Sequence, residues 1–282
     1  MMRWALGCIA AIAIAVAGSA AAQTPLERGG YLVNGILTCG NCHTPRAAGG
    51  VWDMSRQLSG GPQTWDEATF KVKGANITPD PETGIGKWSD ADMKRAMLSG
   101  IRPDGTPMAP LMPYGFYKVF TPADIDAVVA YLKSVPAVRN AVEPPIYKAA
   151  MHGNAPPGAQ EAMSEADMAD PVKRGFYLVT IGHCMECHTP LANGRQDYAQ
   201  LGKGGQPFTG PWGVTVSRNI TAHATAGLGA WSDAEIKAAI TQGMRKDGTR
   251  LKPPMAYPLY ATMTAQDLSA IVAYLRTVSP KD

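Results

Sequence analysis

The sequence predicts an all-α protein made of two tandem copies of one small domain, each about three main helices. Two observations carry this. The chain repeats itself, and both halves hold the same helix-start signatures with few and short strand signals between them. Arg28-Gly29-Gly30-Tyr31-Leu32-Val33 matches Arg174-Gly175-Phe176-Tyr177-Leu178-Val179, and Asn76-Ile77-Thr78 matches Asn219-Ile220-Thr221. Gly86-Lys87-Trp88-Ser89-Asp90 matches Gly229-Ala230-Trp231-Ser232-Asp233, Asp104-Gly105-Thr106 matches Asp247-Gly248-Thr249, and Ala130-Tyr131-Leu132 matches Ala273-Tyr274-Leu275. The offset between partners drifts by small gaps that fall in loops, where gaps cost least.

The elements follow in order. Met1-Met2-Arg3, an apolar run from Trp4 to Val16 and the small residues Gly18 to Ala22 read as a secretory signal peptide over residues 1–22, with Cys8 inside its apolar core. That core is shorter than the ~20 residues needed to span a bilayer, and no later segment is long and apolar enough, so no transmembrane anchor is expected. The first domain is expected over 23–137. Its first helix starts near Leu26, its second at Ser89 with Asp92 three residues on, and its third at Thr121-Pro122, with Asp124 completing a capping box. The second domain, 171–282, repeats this from Pro171, from Ser232 with Glu235, and from Thr264 with Asp267. Ile125, Val128, Val129 and Leu132 form an apolar stripe at helical spacing, as do Leu268, Ile271, Val272 and Leu275. Gly29 and Gly175 suit a close crossing of first and last helices near Tyr131 and Tyr274. Between the domains, 138–170 carries Pro144-Pro145 and Pro156-Pro157-Gly158 with little periodicity, and reads as a connector.

Each first helix runs into a CxxCH motif, Cys39-Gly40-Asn41-Cys42-His43 and Cys184-Met185-Glu186-Cys187-His188. The spacing is that of covalent c-type haem attachment. Two thiols three positions apart can each bond one vinyl group of a porphyrin, and the adjacent histidine can supply an axial nitrogen. A redox dithiol or half a zinc site would not need the histidine twice, and the helical surroundings lack a βαβ pattern. Of five cysteines, the four outside the leader all lie in these motifs, so none is left for a structural disulfide. The chain is expected to hold two haem c, bound through Cys39, Cys42, Cys184 and Cys187, with His43 and His188 on the irons. With aromatic residues at only 7%, each haem can serve as the large apolar object its domain packs around.

The duplication also sorts the 14 methionines. Met93 and Met97 face Ile236 and Ile240 in the other half, Met108 faces Leu251, Met244 faces Ile101 and Met263 faces Phe120; these read as core filler. Outside leader and connector, only Met112 faces another methionine, Met255. Both precede a tyrosine, in Leu111-Met112-Pro113-Tyr114 and Pro254-Met255-Ala256-Tyr257. Met112 and Met255 are the expected sixth ligands, with Met108 the competitor in the first half. A thioether raises the potential relative to two nitrogens and closes the sixth position. Trp88, Trp231, Arg102 and Arg245 are candidates for the haem propionates. Asn76 and Asn219 suit loop turns, and His152, His183 and His223, without repeat partners, suit ordinary surface.

On these motifs each half resembles a class I cytochrome c domain. With Asn-Ile-Thr, Trp-Ser-Asp and the Pro-Met-x-Tyr-like segments, the whole resembles the cytochrome c subunits of periplasmic alcohol, aldehyde and gluconate dehydrogenases. Those subunits often carry three haems and a C-terminal anchor; two motifs stand here, and the chain stops at Asp282 just after its last helix. The resemblance implies a periplasmic electron-transfer protein, not itself an enzyme. It would accept electrons from a dehydrogenase and pass them to a cytochrome or oxidase, with peripheral membrane association open to it. The formal charge of +3, with no basic run, excludes nucleic acid as an expected partner. The alternative is a dihaem enzyme, a peroxidase or thiosulfate dehydrogenase, which requires one exchangeable haem site; the first domain, where Met108 and Met112 compete, is the place for it.

Overall fold

The computed structural model describes residues 23–61, 63–210 and 212–282; the expected leader lies outside them. The first half holds helices α1 (Pro25–Asn34), α2 (Cys39–His43), α3 (Asp90–Ser99) and α4 (Pro122–Ser134). The second holds α5 (Pro171–Ile181), α6 (Cys184–Cys187), α7 (Asp233–Gln242), α8 (Tyr257–Tyr260) and α9 (Ala265–Leu275). The expectation of an all-α fold needs correction, because short antiparallel pairings knit the loops. β1 (Thr64–Asp66), β2 (Phe70–Lys73) and β3 (Ile146–Tyr147) form one sheet, while β4 (Leu191–Ala192) with β5 (Arg195–Gln196) and β6 (Pro207–Gly210) with β7 (Gly213–Val216) form hairpins. Runs of two to four residues are too short to show a period of two in sequence.

Local signals start most of the helices. Ser89 Oγ accepts from the Asp92 N–H at 3.1 Å while Asp92 accepts from the Ser89 N–H, and Ser232 with Glu235 does the same for α7. Thr24 and Glu27 form a further box at α1. At α4 and α9 the expected boxes are only half made. Thr121 accepts from the Asp124 N–H and Thr264 from the Asp267 N–H, but neither carboxylate turns back to its cap. Both are drawn away by tertiary partners.

In each half the first helix crosses the last at a glycine. A Cβ on Gly29 would stand 2.0 Å from the Ala127 carbonyl oxygen, and one on Gly175 1.9 Å from that of Ala270. Leu32, Val33, Val128 and Val129 fill one crossing, and Leu178, Val179, Ile271 and Val272 the other; all are buried. These sets belong to one apolar cluster that runs through both halves.

The diverted carboxylates explain how the halves join. Asp124 receives both Arg28 Nε and Nη2 at 2.7 Å within its own half, and Tyr177 Oη at 2.6 Å from the other. Asp267 receives Arg174 Nε at 2.5 Å and Tyr31 Oη at 2.5 Å from the other half. Arg28, Tyr31 and Asp124 are the repeat partners of Arg174, Tyr177 and Asp267, so one contact is made twice about a pseudo-twofold axis. Burial opposes the Arg28 charge, but its bonds to Asp124 outweigh this and its pKa ends raised. Burial, with the Asp267 bond, pushes the Tyr31 hydroxyl up to about 12. Phe120 meets Tyr177 edge to face beside the same contact.

Residues between the helical halves form a strap with fixed partners. Asn76 Nδ2 donates to the Val138 carbonyl at 2.8 Å, Asn140 Nδ2 to the Ser59 carbonyl at 2.8 Å, and β3 pairs Tyr147 with Phe70. Further on, Ala159 is fully buried and the Met163 N–H reaches the Val119 carbonyl at 3.0 Å.

Candidate haem sites

Both CxxCH motifs begin on a residue in the left-handed region, Thr38 at φ 49° and His183 at φ 42°. Neither is glycine, and Thr38 is β-branched, so the conformation is costly and marks a functional site. It turns the chain from α1 into α2, and from α5 into α6. The single helical turn then sets Cys39 and Cys42 on one face, and Cys184 and Cys187 on the other motif's face. Among the described residues the four cysteines form no disulfide. Burial pushes Cys39 and Cys184 up to about 12 and Cys42 up to about 11, and raises Cys187 further.

The histidines are oriented as iron ligands require. His43 Nδ1 lies 2.6 Å from the Ala75 carbonyl, and His188 Nδ1 2.6 Å from the Arg218 carbonyl. A carbonyl only accepts, so Nδ1 carries the proton and Nε2 keeps its lone pair. Burial lowers both imidazole pKa values against the opposing carbonyl bond, favouring the neutral ligand form. Each carbonyl is held by the asparagine after it. Asn76 Oδ1 accepts from the Thr78 N–H at 3.0 Å and Asn219 Oδ1 from the Thr221 N–H at 2.9 Å, turns that sequence pattern had suggested.

Met112 and Met255 are half-buried, each on the loop before the last helix and packed against the apolar cluster. Met108 is also half-buried. Trp88 and Trp231 are half-buried at the entries of α3 and α7. Arg102 Nη1 donates to the Pro107 carbonyl of its own loop at 2.5 Å and to Tyr147 Oη of the strap at 3.0 Å, and Arg245 Nη1 pairs with Asp247 of its own loop at 2.9 Å. His183 is not plain surface: it is half-buried with Nδ1 3.0 Å from Glu186 Oε2.

The residues present fit a group that carries carboxylates. Two buried indole N–H groups, of Trp52 and Trp212, have no hydrogen-bond partner among the described residues, an arrangement that an anionic oxygen would relieve. Trp52 also lies over the Arg46 guanidinium at 4.5 Å.

The cytochrome c family profile matches twice, over residues 27–136 and 172–279. The chain belongs to the cytochrome c family. This cytochrome c is 31% identical to the cytochrome c subunit of the quinone alcohol dehydrogenase of Gluconacetobacter polyoxogenes, over 94% of this chain and 59% of that subunit. It is 34% identical to a diheme cytochrome c-type protein of Cereibacter sphaeroides, over 85% of this chain and 81% of that one. It is 30% identical to the gluconate 2-dehydrogenase cytochrome c subunit of Pantoea cypripedii, over 95% of this chain and 63% of the subunit. The chain therefore spans less than two thirds of the length of these dehydrogenase subunits. Its cofactors are two haem c, one for each cytochrome c domain.

Several residues of this cytochrome c escaped the sequence motifs. Tyr117 and Tyr260 are repeat partners and are buried, with hydroxyls raised by burial and by the neighbouring cysteines of their own motifs. Comparing the aligned halves position by position would have found them. Trp52 and Trp212 have no tryptophan partner across the repeat, so the duplication could not select them. The halves touch just ahead of both motifs, where a Cβ on Gly182 would stand 2.7 Å from Ile36 Cδ1. Burial first, and then the Glu186 carboxylate, raise both Cys42 of the other domain and Cys187. Among the described residues no helix is long and apolar enough to cross a membrane.

Proposed function

We propose that this cytochrome c is a periplasmic carrier of single electrons, which accepts them from a partner dehydrogenase and passes them to a downstream cytochrome or oxidase. The observation that carries this is the pair of histidines, each with Nδ1 held 2.6 Å from a backbone carbonyl, at the same place in two repeated domains. The names of the relatives supply the dehydrogenase partner. Bound haem supplies the one-electron couple. The chain's part is to hold each imidazole through its Nδ1 proton; Met112 and Met255 would supply thioether ligands to the iron, and the buried Tyr117 and Tyr260 would keep water from the bound group. Trp88, Trp231, Arg102 and Arg245 are assigned to the propionates, and we add Trp52 and Trp212. Residues 1–22 are the export signal, 23–137 and 171–282 the domains, and 138–170 the connector.

With a histidine and a methionine both available to each iron, the bound group would suit transfer without bond making. The oxidised holoprotein is expected to be low-spin at both haems, with the weak red-end charge-transfer band of thioether ligation at full two-haem intensity. A resting high-spin haem, or turnover with peroxide or thiosulfate, would overturn the carrier assignment in favour of an enzyme.

Met255→Leu tests the ligand directly. It is expected to halve that band and to lower one of the two midpoint potentials, leaving the other unchanged. The shift should be a measurable fraction of the ~0.8 V range that axial ligands command. Potentiometric titration followed at the haem absorption bands reads both. An unchanged band would reassign the sixth ligand.

A further inference from the structure

We infer that the loop ahead of Met255, residues 245–252, is the surface on which a partner protein with an acidic face docks to exchange electrons with the second domain. This rests on the carrier function proposed above and names its partner's chemistry and its port.

The molecule contains its own control for this loop. In the first domain Arg102 N–H bonds the Thr106 carbonyl at 2.9 Å, Gly105 N–H bonds the Arg102 carbonyl at 2.9 Å and Met108 N–H bonds the Gly100 carbonyl at 2.7 Å. In the second, Arg245 to Thr249, Gly248 to Arg245 and Leu251 to Gly243 give the same 2.9, 2.9 and 2.7 Å. A bridge closes both loops, Ile101 with Pro107 and Met244 with Arg250. The backbone is the same, but Pro103, Pro107 and Ala109 are replaced by Lys246, Arg250 and Lys252. The Arg and Asp of each turn are common to both, so the replacements add three positive charges. The first domain folds this loop without them, so loop stability does not require them. They are also weakly neutralised. Lys246 donates to the Ala230 carbonyl and stands 3.9 Å from Glu235, while Arg250 reaches only the Gln242 carbonyl at 3.5 Å.

Exposure separates the two loops only at their exits toward the methionine, since residues 103–107 and 246–250 are exposed alike. In the first domain the strap covers that exit: a Cβ on Gly153 would stand 2.2 Å from the Tyr114 ring, one on Gly115 would stand 2.7 Å from the Asn154 carbonyl oxygen, and Arg102 bonds Tyr147. Tyr114 is only 7% exposed and Ala109 5%. In the second domain Tyr257 is half-buried, and Lys252, Pro253 and Pro254 are exposed. All three added charges are exposed, and Lys252 stands on a segment that is open in the second domain and covered in the first. Cations rimming an open redox edge raise the local concentration of an anionic partner and orient it as it arrives.

Reduced holoprotein oxidised by hexacyanoferrate(III) provides the test, in stopped flow over a range of ionic strength. Wild type is expected to react about tenfold faster at low salt than Lys246→Glu/Arg250→Glu/Lys252→Glu, since steering changes on-rates by ~10-fold or more. The two rates should converge as salt screens the loop. Poly-L-glutamate, an acidic polypeptide, should slow wild type and leave the variant unaffected, and the cationic oxidant tris(phenanthroline)cobalt(III) should prefer the variant. Lys252→Glu alone should shift each rate in the same direction by less, which keeps the test valid if the triple variant misfolds. Equal rates for all proteins with both oxidants, and no effect of poly-L-glutamate, would overturn the docking assignment. Failure of either reagent to oxidise wild type at all would overturn the carrier function itself.

Discussion

Gly175→Ala is expected to unfold the second domain while leaving the first domain's haem spectrum in place. The added Cβ would stand 1.9 Å from the Ala270 carbonyl oxygen and 2.7 Å from Tyr274 Cβ. The obstacle is mainly backbone, so a rotamer change cannot relieve it; α5 and α9 must separate. Their separation opens the contacts of Leu178, Val179, Ile271 and Val272, all buried at the crossing. Overpacking a core costs ~1–3 kcal/mol where side chains can adjust, and this site lacks that adjustment. A loss of about 3 kcal/mol or more is a large part of a domain's ~5–15 kcal/mol. Gly29→Ala should do the same to the first domain, where the corresponding oxygen of Ala127 is 2.0 Å away. Gly248→Ala is the matched comparison. Its φ is +78° but no atom lies within 4 Å of the added Cβ, so only the ~1–2 kcal/mol of a left-handed alanine is expected. Urea midpoints of the three variants, followed at each haem band and by near-ultraviolet dichroism, should order them Gly175→Ala and Gly29→Ala far below Gly248→Ala. Equal midpoints would show that the helices do not cross at these glycines.

That these glycines could be found at all, and that other features could not, has a physical origin. Gly29 and Gly175 stand at the same place in two copies of one sequence, each one helical turn from a tyrosine's partner helix, and the duplication makes such a pair visible. The motifs behave likewise, since cysteine spacing and the following histidine are properties of a single turn. The carbonyls that orient those histidines, on Ala75 and Arg218, are properties of the loop path; a backbone oxygen leaves no mark on residue identity. The short strands were hidden because two to four residues show no period of two, and β2 besides finds β3 across the whole last helix of the domain. Trp52 and Trp212 lie outside the repeat pattern, and only the burial of an unpartnered N–H draws notice to them.

The half-made capping boxes are the most instructive mismatch. Thr121 with Asp124 reads the same in sequence as Ser89 with Asp92, because both are a hydroxyl followed three residues later by a carboxylate. Nothing local distinguishes them. What differs is that Arg28 and Tyr177 reach Asp124, and Arg174 and Tyr31 reach Asp267. A buried carboxylate goes to the charged donor and the phenol, and at α9 the cap N–H of Thr264 donates instead to the Tyr31 hydroxyl at 3.1 Å. Where a sequence rule fails in both copies at one position, the position is performing a tertiary task, here the joining of the two domains.

That task sets the second large effect. Asp267 is 1% exposed. Asp267→Ala would strip the acceptor from Arg174 and Tyr31 together and leave a partly buried guanidinium uncompensated, a change that costs ~3–5 kcal/mol when one partner of a buried pair is removed. Asp124→Ala should act alike on Arg28 and Tyr177. These variants mix domain stability with domain joining, so the phenols give the cleaner experiment. Tyr31→Phe and Tyr177→Phe keep each Arg–Asp pair within its own domain and delete only the bonds that cross, each to a charged acceptor and worth ~1.5–3 kcal/mol. The domains should stay folded, with ligation bands at wild-type intensity. What should change is the relation between the halves. Tyr31 ties α1 to α9 and Tyr177 ties α5 to α4 across the domain contact, so the double variant should widen the distribution of iron–iron distances seen by pulsed electron paramagnetic resonance. Intramolecular electron exchange between the haems should slow in the same variant. Each single variant should do less than half of this, because either crossing bond alone still limits rotation of the domains. An unaltered distance distribution in the double variant would assign the joining to the apolar cluster and Phe120, and reduce the crossing tyrosines to ordinary satisfied polar groups.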